Sequence, residues 1–178
     1  MDLLSAVEPK ACLFLGKCGG ISSKTHLGDL ILPLAGIRGE GTSNDYYPPE
    51  IPALPAFMLQ RAVSSAIRDF GHDYWTGTVY TTNRRVWEHD TKFKDYPSGT
   101  RAMAVDMETA TLFSCGFYKR IPPGALLLVS DNLMAADGGN TGERGNNVTN
   151  DNVHEPESDS KDTFSMILYA YRTVRDLK

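Results

Sequence analysis

The chain has 178 residues, of which 41% are hydrophobic and 22% charged, and this composition is ordinary for one globular domain with a substantial core. Its 18 basic and 22 acidic residues give a formal net charge of −4 without a basic block, which argues against a duplex nucleic-acid partner. The sequence also has no apolar run near the roughly 20 residues that span a bilayer, and its opening stretch MDLLSAVEPK lacks the pattern of a secretory signal.

Apolar patterning predicts alternating helices and strands along the chain. In chain order these are a helix end over 1–7, strands over 11–15 and 30–37, a helix over 56–70, strands over 74–81 and 102–105, a helix over 107–117, a strand over 125–129 and a helix over 163–177. Pro33 requires a bulge or an edge position in its strand, and Gly71 is placed to end the helix before it. This order predicts an α/β domain with a mixed central β-sheet flanked by helices.

Two polar segments interrupt this pattern. Residues 39–55 are rich in Gly and Pro, which predicts a loop. Residues 137–162 are dominated by Gly, Asn, Asp and Ser, which predicts a flexible loop. We interpret 1–178 as a single domain that contains this loop.

The cysteines and histidines predict neither a disulfide framework nor a metal site. Cys12, Cys18 and Cys115 are an odd set and form no CxxC motif, so we expect reduced thiols, as in a cytoplasmic protein. The four histidines are scattered along the sequence, which gives a zinc site little support.

Asp131 directly follows the apolar run LLLVS, so its carboxylate is expected at the carboxyl end of a strand. Ligands bind at that edge in open α/β sheets. The residue either caps the turn after the strand or donates a proton to a leaving group. A free Asp has a pKa of about 3.9, so only about one in 10³ is protonated at pH 7. The second role therefore requires burial, or a hydrogen bond that tightens in the transition state.

A second acidic motif, DMETA, begins the helix predicted over 107–117. Asp106 is placed as its N-cap, and Glu108 in the first turn would stabilise the helix by roughly 0.3–1 kcal/mol. Alternatively, Glu108 points into a pocket, where one carboxylate can accept two adjacent hydroxyls of a sugar. Met107 is either part of the core or an apolar wall against that sugar.

Gly16–Gly20 is predicted as a turn whose backbone N–H groups can hold an anion or let a ring approach closely. It lacks the GxGxxG and Walker patterns, so a dinucleotide or triphosphate site is not indicated.

Two arginine-bearing segments follow predicted strands. Arg85 can hold a phosphate bidentately, and Trp87 or Tyr80 can stack on a base; the alternative is an exposed hairpin turn with charged side chains. Arg38, after the strand over 30–37, is either an anion ligand or a surface charge.

Together these motifs resemble the nucleoside phosphorylase and nucleosidase superfamily, and within it the AMP nucleosidases. The matching segments are GKCGGI, LGDLIL, GTVYTTN, DMETA and VSD, in family order over residues 1–134. The resemblance implies the three-layer nucleoside phosphorylase-like fold. It also predicts that the family's first strand and glycine-rich turn are lacking here.

The resemblance implies a role for each matching position. Met107 and Glu108 correspond to the pair that binds ribose, and Asp131 to the acid that protonates the departing purine at N7. The positions that correspond to the base pocket are Cys18, Gly19, Tyr80, Trp87 and Ser130.

Related phosphorylases hold the attacking phosphate with an Arg and a Ser or Thr, where this chain has Phe14 and Lys17. This departure favours water as the nucleophile. Lys17, Arg38 and Arg85 are then candidates for binding the 5′-phosphate of the substrate.

The function that the resemblance implies is hydrolysis of the N-glycosidic bond of AMP to adenine and ribose 5-phosphate. It implies no metal or organic cofactor, no nucleic-acid or membrane partner, and a cytoplasmic homo-oligomer. Two alternatives stay open. One is a purine nucleoside phosphorylase or another nucleosidase; the other is a non-catalytic family member that acts as an assembly or binding module.

Overall fold

A computed structural model describes residues 1–84, 96–97 and 99–132. The loop predicted over 137–162 and the helix predicted over 163–177 lie outside these ranges. The α-helices described are α1 (Asp2–Ser5), α2 (Phe57–Asp69) and α3 (Thr109–Tyr118); the strands are β1 (Cys12–Gly20), β2 (Leu30–Gly39), β3 (Trp75–Thr82), β4 (Ala104–Asp106) and β5 (Pro123–Asn132). A short 3-10 helix, Thr42–Asp45, lies in the loop after β2.

The described strands form a mixed sheet that closes on itself in the order β1–β4–β3–β2–β5. The pairs β1/β5, β2/β3 and β3/β4 are parallel, and β1/β4 and β2/β5 are antiparallel. The mixed sheet with flanking helices predicted from the sequence is therefore confirmed.

Helix α2 forms because its apolar residues recur at helical spacing and cover the sheet. Val63 and Ile67, one turn apart, are fully buried and pack in a cluster with Leu126 of β5. Burial of an aliphatic side chain of this size stabilises the fold by about 1.5–3 kcal/mol. Gly71 has φ +77° and its N–H donates to the carbonyl of Arg68, so the predicted helix end is confirmed.

Pro33 lies at an irregularity in β2. The register between β2 and β3 shifts between Pro33 and Ala35, so the bulge predicted from the proline is confirmed. The Pro33 carbonyl accepts a 2.6 Å hydrogen bond from the Gln60 side chain, which ties the bulge to α2.

The prediction that Gly16–Gly20 forms a turn was wrong. These residues continue β1, and their backbone pairs with β5 from Leu127 to Asn132, with a register shift between Cys18 and Gly19. β5 extends past its predicted end at Val129, and its last residues pair with Gly19 and Gly20. The composition of the glycine-rich segment gives no sign of these partners. The N–H groups that we expected to face an anion lie in a β-ladder.

Candidate active site

Gly19 is the point at which the two acidic motifs meet. It pairs in register with Val105 of β4 on one side and with Asp131 of β5 on the other. Neighbouring strands lie about 4.8 Å apart, which puts the Val105 and Asp131 backbones roughly 10 Å from each other. Because β4 leads into Met107 and Glu108, the sheet brings both motifs to the same region, with Gly19 between them.

Cys18 lies close enough to Asp106 and Asp131 for both carboxylates to affect the pKa of its thiol. Its side chain is only 4% exposed, and its thiol donates to the carbonyl of Leu128 at 3.6 Å. Burial raises the pKa of Cys18 to about 12, and the negative charges of Asp106 and Asp131 both add to this rise. The thiol therefore stays neutral and is not an activated nucleophile, and its side chain packs in the core with Ile31 and Leu127.

Asp131 lies at the end of β5 with an exposed side chain. Its carboxylate accepts a 2.6 Å hydrogen bond from the hydroxyl of Ser130, which also lies 3.4 Å from the carbonyl of Cys18. Of the two conditions stated for the proton-donor role, burial or a hydrogen bond that tightens in the transition state, burial is not provided by the described residues. The structure does place Ser130, Asp131 and Cys18 together, as the sequence motifs predicted.

Asp106 is the buried acid of the DMETA motif, at 5% exposure. One carboxylate oxygen accepts the N–H of Thr109 at 2.9 Å together with the Thr109 hydroxyl, and the other accepts the hydroxyl of Thr81 at 2.7 Å. Burial raises the pKa of Asp106, and these hydrogen bonds oppose the rise. The predicted N-cap position of Asp106 was wrong, because α3 begins at Thr109 and its N-cap is Glu108. Asp106 nevertheless satisfies the N–H of Thr109, the first helical residue.

Glu108 precedes the first residue of α3 and is exposed. Its carboxylate accepts the N–H of Met107 at 3.2 Å, and Met107 itself is half-buried. The pair therefore presents a carboxylate that solvent or a ligand can reach, beside a half-buried thioether.

Lys17 is not brought to the acidic motifs. Side chains alternate along a strand, so Lys17 faces away from the side that Cys18 occupies. It lines a cavity of about 210 Å³ with Leu15 of β1, Leu30 of β2 and Leu128 of β5, among other residues. This cavity is apolar and lies apart from Asp131 and Glu108, so its position gives no support to phosphate binding by Lys17.

Arg38 organises a loop instead of presenting its charge to a ligand. Its Nε donates to Ser43 at 2.8 Å, and its two terminal nitrogens donate to the Asn44 side chain and to the carbonyls of Tyr47, Pro48 and Ile51 at 2.6–3.0 Å. A guanidinium has five N–H donors, and all five are engaged here. This engagement gives no support to the expectation that Arg38 meets a phosphate.

Tyr80 is buried at 5% exposure and packs in a cluster with Ile21 and Val105. Its ring lies 5.8 Å from that of Tyr96 in an edge-to-face contact. It faces the side of β3 opposite to Thr81, because successive residues alternate. Tyr80 pairs in register with Val105, Val105 with Gly19, and Gly19 with Asp131, so Tyr80 lies on the same face of the sheet as Asp131. Its place in a base pocket stays a prediction. Trp87 and Arg85 lie outside the described residues.

Glu40 is a buried acid that the sequence analysis missed. Its side chain is 6% exposed, and Oε1 accepts the N–H of Ser43 at 2.9 Å and the hydroxyl of Thr111 at 2.8 Å. Burial raises the pKa of Glu40, but the hydrogen bonds from Ser43 and Thr111 outweigh burial and leave that pKa below its ordinary value. No signal in the sequence singled it out, because the strand predicted over 30–37 ends before Arg38 and Gly39, whereas β2 continues to Gly39 and Glu40 directly follows it.

Neither a metal centre nor a membrane helix is found in the described part of the chain. Over residues 1–84, 96–97 and 99–132, there is no group of three or more His, Cys, Asp or Glu side chains that could hold a metal ion. In the same ranges, no helix has the length and apolar character needed to cross a membrane.

The fold and this arrangement of motifs are those of a nucleoside-cleaving enzyme family. Residues 1–168 match the family model of the phosphorylase superfamily, and the chain belongs to that superfamily. The family predicted from the sequence motifs is thus confirmed.

Relatives of known activity divide between hydrolysis and phosphorolysis. The chain is 34% identical over 139 residues to AMP nucleosidase of Escherichia coli K12, and the aligned region covers 73% of this chain and 29% of that protein. It is 27% identical over 137 residues to guanosine phosphorylase of Halorubrum lacusprofundi, covering 77% of this chain and 56% of that protein.

Solved structures agree with this assignment. The crystal structure of AMP nucleosidase from Bacteroides thetaiotaomicron is 49% identical with a TM-score of 0.78, covering 98% of this chain and 65% of that one. The Plasmodium knowlesi homologue of P. falciparum PNP has a TM-score of 0.73 at 16% identity, which supports the fold alone. The chain thus spans less than two thirds of the length of the AMP nucleosidases it matches.

Proposed function

We propose that this chain carries the chemistry of an AMP nucleosidase, the hydrolysis of AMP to adenine and ribose 5-phosphate. The observation that carries the proposal is the pairing of Gly19 with both strands that bear the acidic motifs, since this pairing gathers Glu108 and Asp131 around one point. The similarity to two AMP nucleosidases supports AMP as the substrate.

In this mechanism the two carboxylates act on opposite ends of the glycosidic bond. Cleavage leaves the bonding electron pair on the purine and builds positive charge on the sugar, as in glycoside hydrolysis. Asp131 gives a proton to N7 of the base, and water adds to C1′ and loses a proton, which restores the acid. Glu108 accepts the ribose hydroxyls, and its negative charge favours the sugar cation that develops in the transition state.

Water is the proposed nucleophile because the phosphate position of the related phosphorylases is altered here. Phe14, at the position of their Arg, is partly buried and packs against Phe113 and Ala125. An aromatic ring in the core offers no donor to an oxyanion. Of the three cations considered for the 5′-phosphate, Arg38 is engaged in its loop and Lys17 faces another cavity, so we retain Arg85, with Trp87 as the residue that covers the base.

Release of adenine from AMP by the purified protein, followed by chromatography, tests the proposal. We expect Asp131→Asn to lower turnover by at least about 10²-fold, the usual contribution of a general acid. Unchanged turnover in this variant would refute the assignment of the acid. Asp69→Asn, at an exposed carboxylate of α2, serves as the control and should leave turnover unchanged.

The same assay separates the rival functions. A purine nucleoside phosphorylase would release base from adenosine only with added phosphate and would form ribose 1-phosphate. A folded sample that releases no base from AMP or adenosine, with or without phosphate, would refute catalysis and favour a binding module.

We further propose a cytoplasmic homo-oligomer. Large apolar side chains are exposed on this chain, among them Leu3 at 91%, Phe57 at 74% and Phe117 at 65%, and such surfaces often mark interfaces. Cys12, Cys18 and Cys115 are free thiols, which suits a reducing compartment. Light scattering during size-exclusion chromatography tests the oligomeric state, and a monomeric mass would contradict it.

A further inference from the structure

The direction of the Glu108 carboxylate depends on the backbone at the start of α3. Glu108 is the last residue before the helix, and its carbonyl accepts the first helical hydrogen bond, from the N–H of Leu112 at 2.9 Å. Its own side chain is exposed and contacts only the adjacent N–H of Met107 among the hydrogen bonds described. Whatever holds the first turn of α3 therefore also sets where this carboxylate lies.

One anchor of this turn comes from β3 and β4. The Thr81 hydroxyl donates to Asp106 at 2.7 Å and accepts the N–H of Ala110 at 3.0 Å, so it links the strand end to the helix in both directions. Asp106 in turn accepts the N–H and the hydroxyl of Thr109. Thr81 and Thr109 are fully buried, so this anchor is shielded from competing water.

A second anchor comes from Glu40, which directly follows β2. The buried carboxylate of Glu40 accepts the hydroxyl of Thr111, in the first turn of α3, and the N–H of Ser43. Its other oxygen, Oε2, is buried and has no hydrogen-bond partner among the described residues. A carboxylate is costly to bury and is retained only where its contacts compensate.

Capping a helix does not require two buried acids, because a single exposed Ser, Thr, Asn or Asp satisfies the first-turn N–H groups at much lower cost. Here the carboxylate of Asp106, in β4, holds Thr109, and the carboxylate of Glu40, directly after β2, holds Thr111 of the same turn. We call this set the first-turn cluster; its members are Glu40, Thr81, Asp106, Thr109 and Thr111.

We propose that the first-turn cluster positions Glu108 for its contact with the ribose hydroxyls. This inference rests on the proposed role of Glu108 as the ribose ligand. The members of the cluster act through the α3 backbone and touch no substrate, so they are positioning residues and not catalytic ones. A rigid first turn matters because a carboxylate displaced by about 1 Å from its productive position can lose up to about 10²-fold in rate.

The test replaces Thr81 by valine, which keeps the shape of the side chain and removes the hydroxyl. We expect kcat/KM for AMP to fall by about tenfold to 10²-fold, mainly in kcat, because the contact is one that strengthens in the transition state. Thr76→Val, the same change at an exposed position of β3, should leave both constants unchanged. Thr81→Ser, which restores the hydroxyl, should recover most of the activity.

A double-mutant cycle with Glu108→Gln separates positioning from a general loss of structure. If Thr81 acts through Glu108, Thr81→Val should change kcat/KM by less than about twofold in the Glu108→Gln background. With 2′-deoxy-AMP, which lacks one hydroxyl, the penalty of Thr81→Val should also shrink. If Glu108→Gln is impaired but Thr81→Val lowers kcat/KM by the same factor in both backgrounds, the positioning role is overturned while the role of Glu108 stands.

Failure of the proposed function has a different signature, because the unmodified chain would then release no adenine from AMP. Failure of the ribose-binding role alone would leave Glu108→Gln as active as the unmodified chain. If Thr81→Val does not fold in a thermal melt, Thr111→Val tests the second anchor by the same cycle. Thr111 is only half-buried, and Val fits a helix about as well as Thr. Equal penalties for Thr111→Val with and without Glu108 would overturn the proposal.

Discussion

Replacing Arg38 by methionine keeps much of the length of the side chain and removes five hydrogen bonds to the loop after β2. A hydrogen bond contributes about 0.5–1.5 kcal/mol net, and more when one partner is charged. Most of these contacts are exposed, so water replaces the guanidinium at their acceptors, whereas Ser43 is fully buried and loses its partner. We therefore expect the free energy of unfolding to fall by about 2–4 kcal/mol, less than the sum over five isolated bonds.

Two measurements check this reasoning. Urea denaturation reports the loss of global stability, and hydrogen exchange should show faster exchange over residues 42–51 than elsewhere. Arg61→Met, at an exposed position of α2, is the matched control and should stay within about 0.5 kcal/mol of the unmodified chain.

Kinetics decide between the loop and a phosphate as the partner of Arg38. If the guanidinium serves the loop, AMP and adenosine should lose kcat/KM by the same factor in Arg38→Met, because neither substrate contacts it. A loss confined to AMP, with unchanged exchange over 42–51, would refute our interpretation and restore Arg38 as a phosphate ligand.

Three further predictions follow from buried groups. The pKa of Glu40 is lowered on folding, so its ionised form stabilises the fold above the ordinary pKa of 4.5, and this stability is lost as pH falls through the folded pKa. In urea titrations at several pH values, Glu40→Gln should reduce the loss of unfolding free energy at acid pH. An unchanged loss would contradict the prediction. Cys18, with its pKa near 12, should react with a thiol reagent only on unfolding, well after half-buried Cys12; mass spectrometry of labelled peptides would show whether the order is reversed. Gly36→Ala would put a methyl 2.7 Å from Cα of Ala110 in α3, so we expect a loss of about 1–3 kcal/mol by thermal melting, against no loss for Gly99→Ala, which meets nothing within 4 Å.

Elements with a strong local signal were predicted well. The helix over 56–70 appears as Phe57–Asp69, because its apolar spacing, and the positive φ available to Gly71, are properties of the local sequence. The bulge at Pro33 follows in the same way from a residue that lacks an N–H.

Errors arose where a distant segment determines the conformation. The glycine-rich end of β1 has the composition of a turn, but β5 lies beside it and supplies partners as far as Asn132. For Arg38 the sequence left an anion ligand and a surface charge as alternatives, because its acceptors, mostly carbonyls in the following loop, cannot be recognised from side-chain identity. Glu40 was missed because its hydrogen-bond partner Thr111 lies 71 positions away, so the local sequence does not show that this acid is buried and hydrogen-bonded.

The sequence by itself determined the superfamily, the order of the elements and the two acidic motifs, because these depend on residue identity and on short-range spacing. Only the tertiary structure decided what each acid does. Asp106 and Glu108 are two residues apart, yet one is buried against Thr81 and the other is exposed. Asp131 reaches the same region because Gly19, 112 positions earlier in the chain, pairs with it and with Val105. Burial and pairing of this kind come from strands far apart in the chain, so no local pattern specifies them.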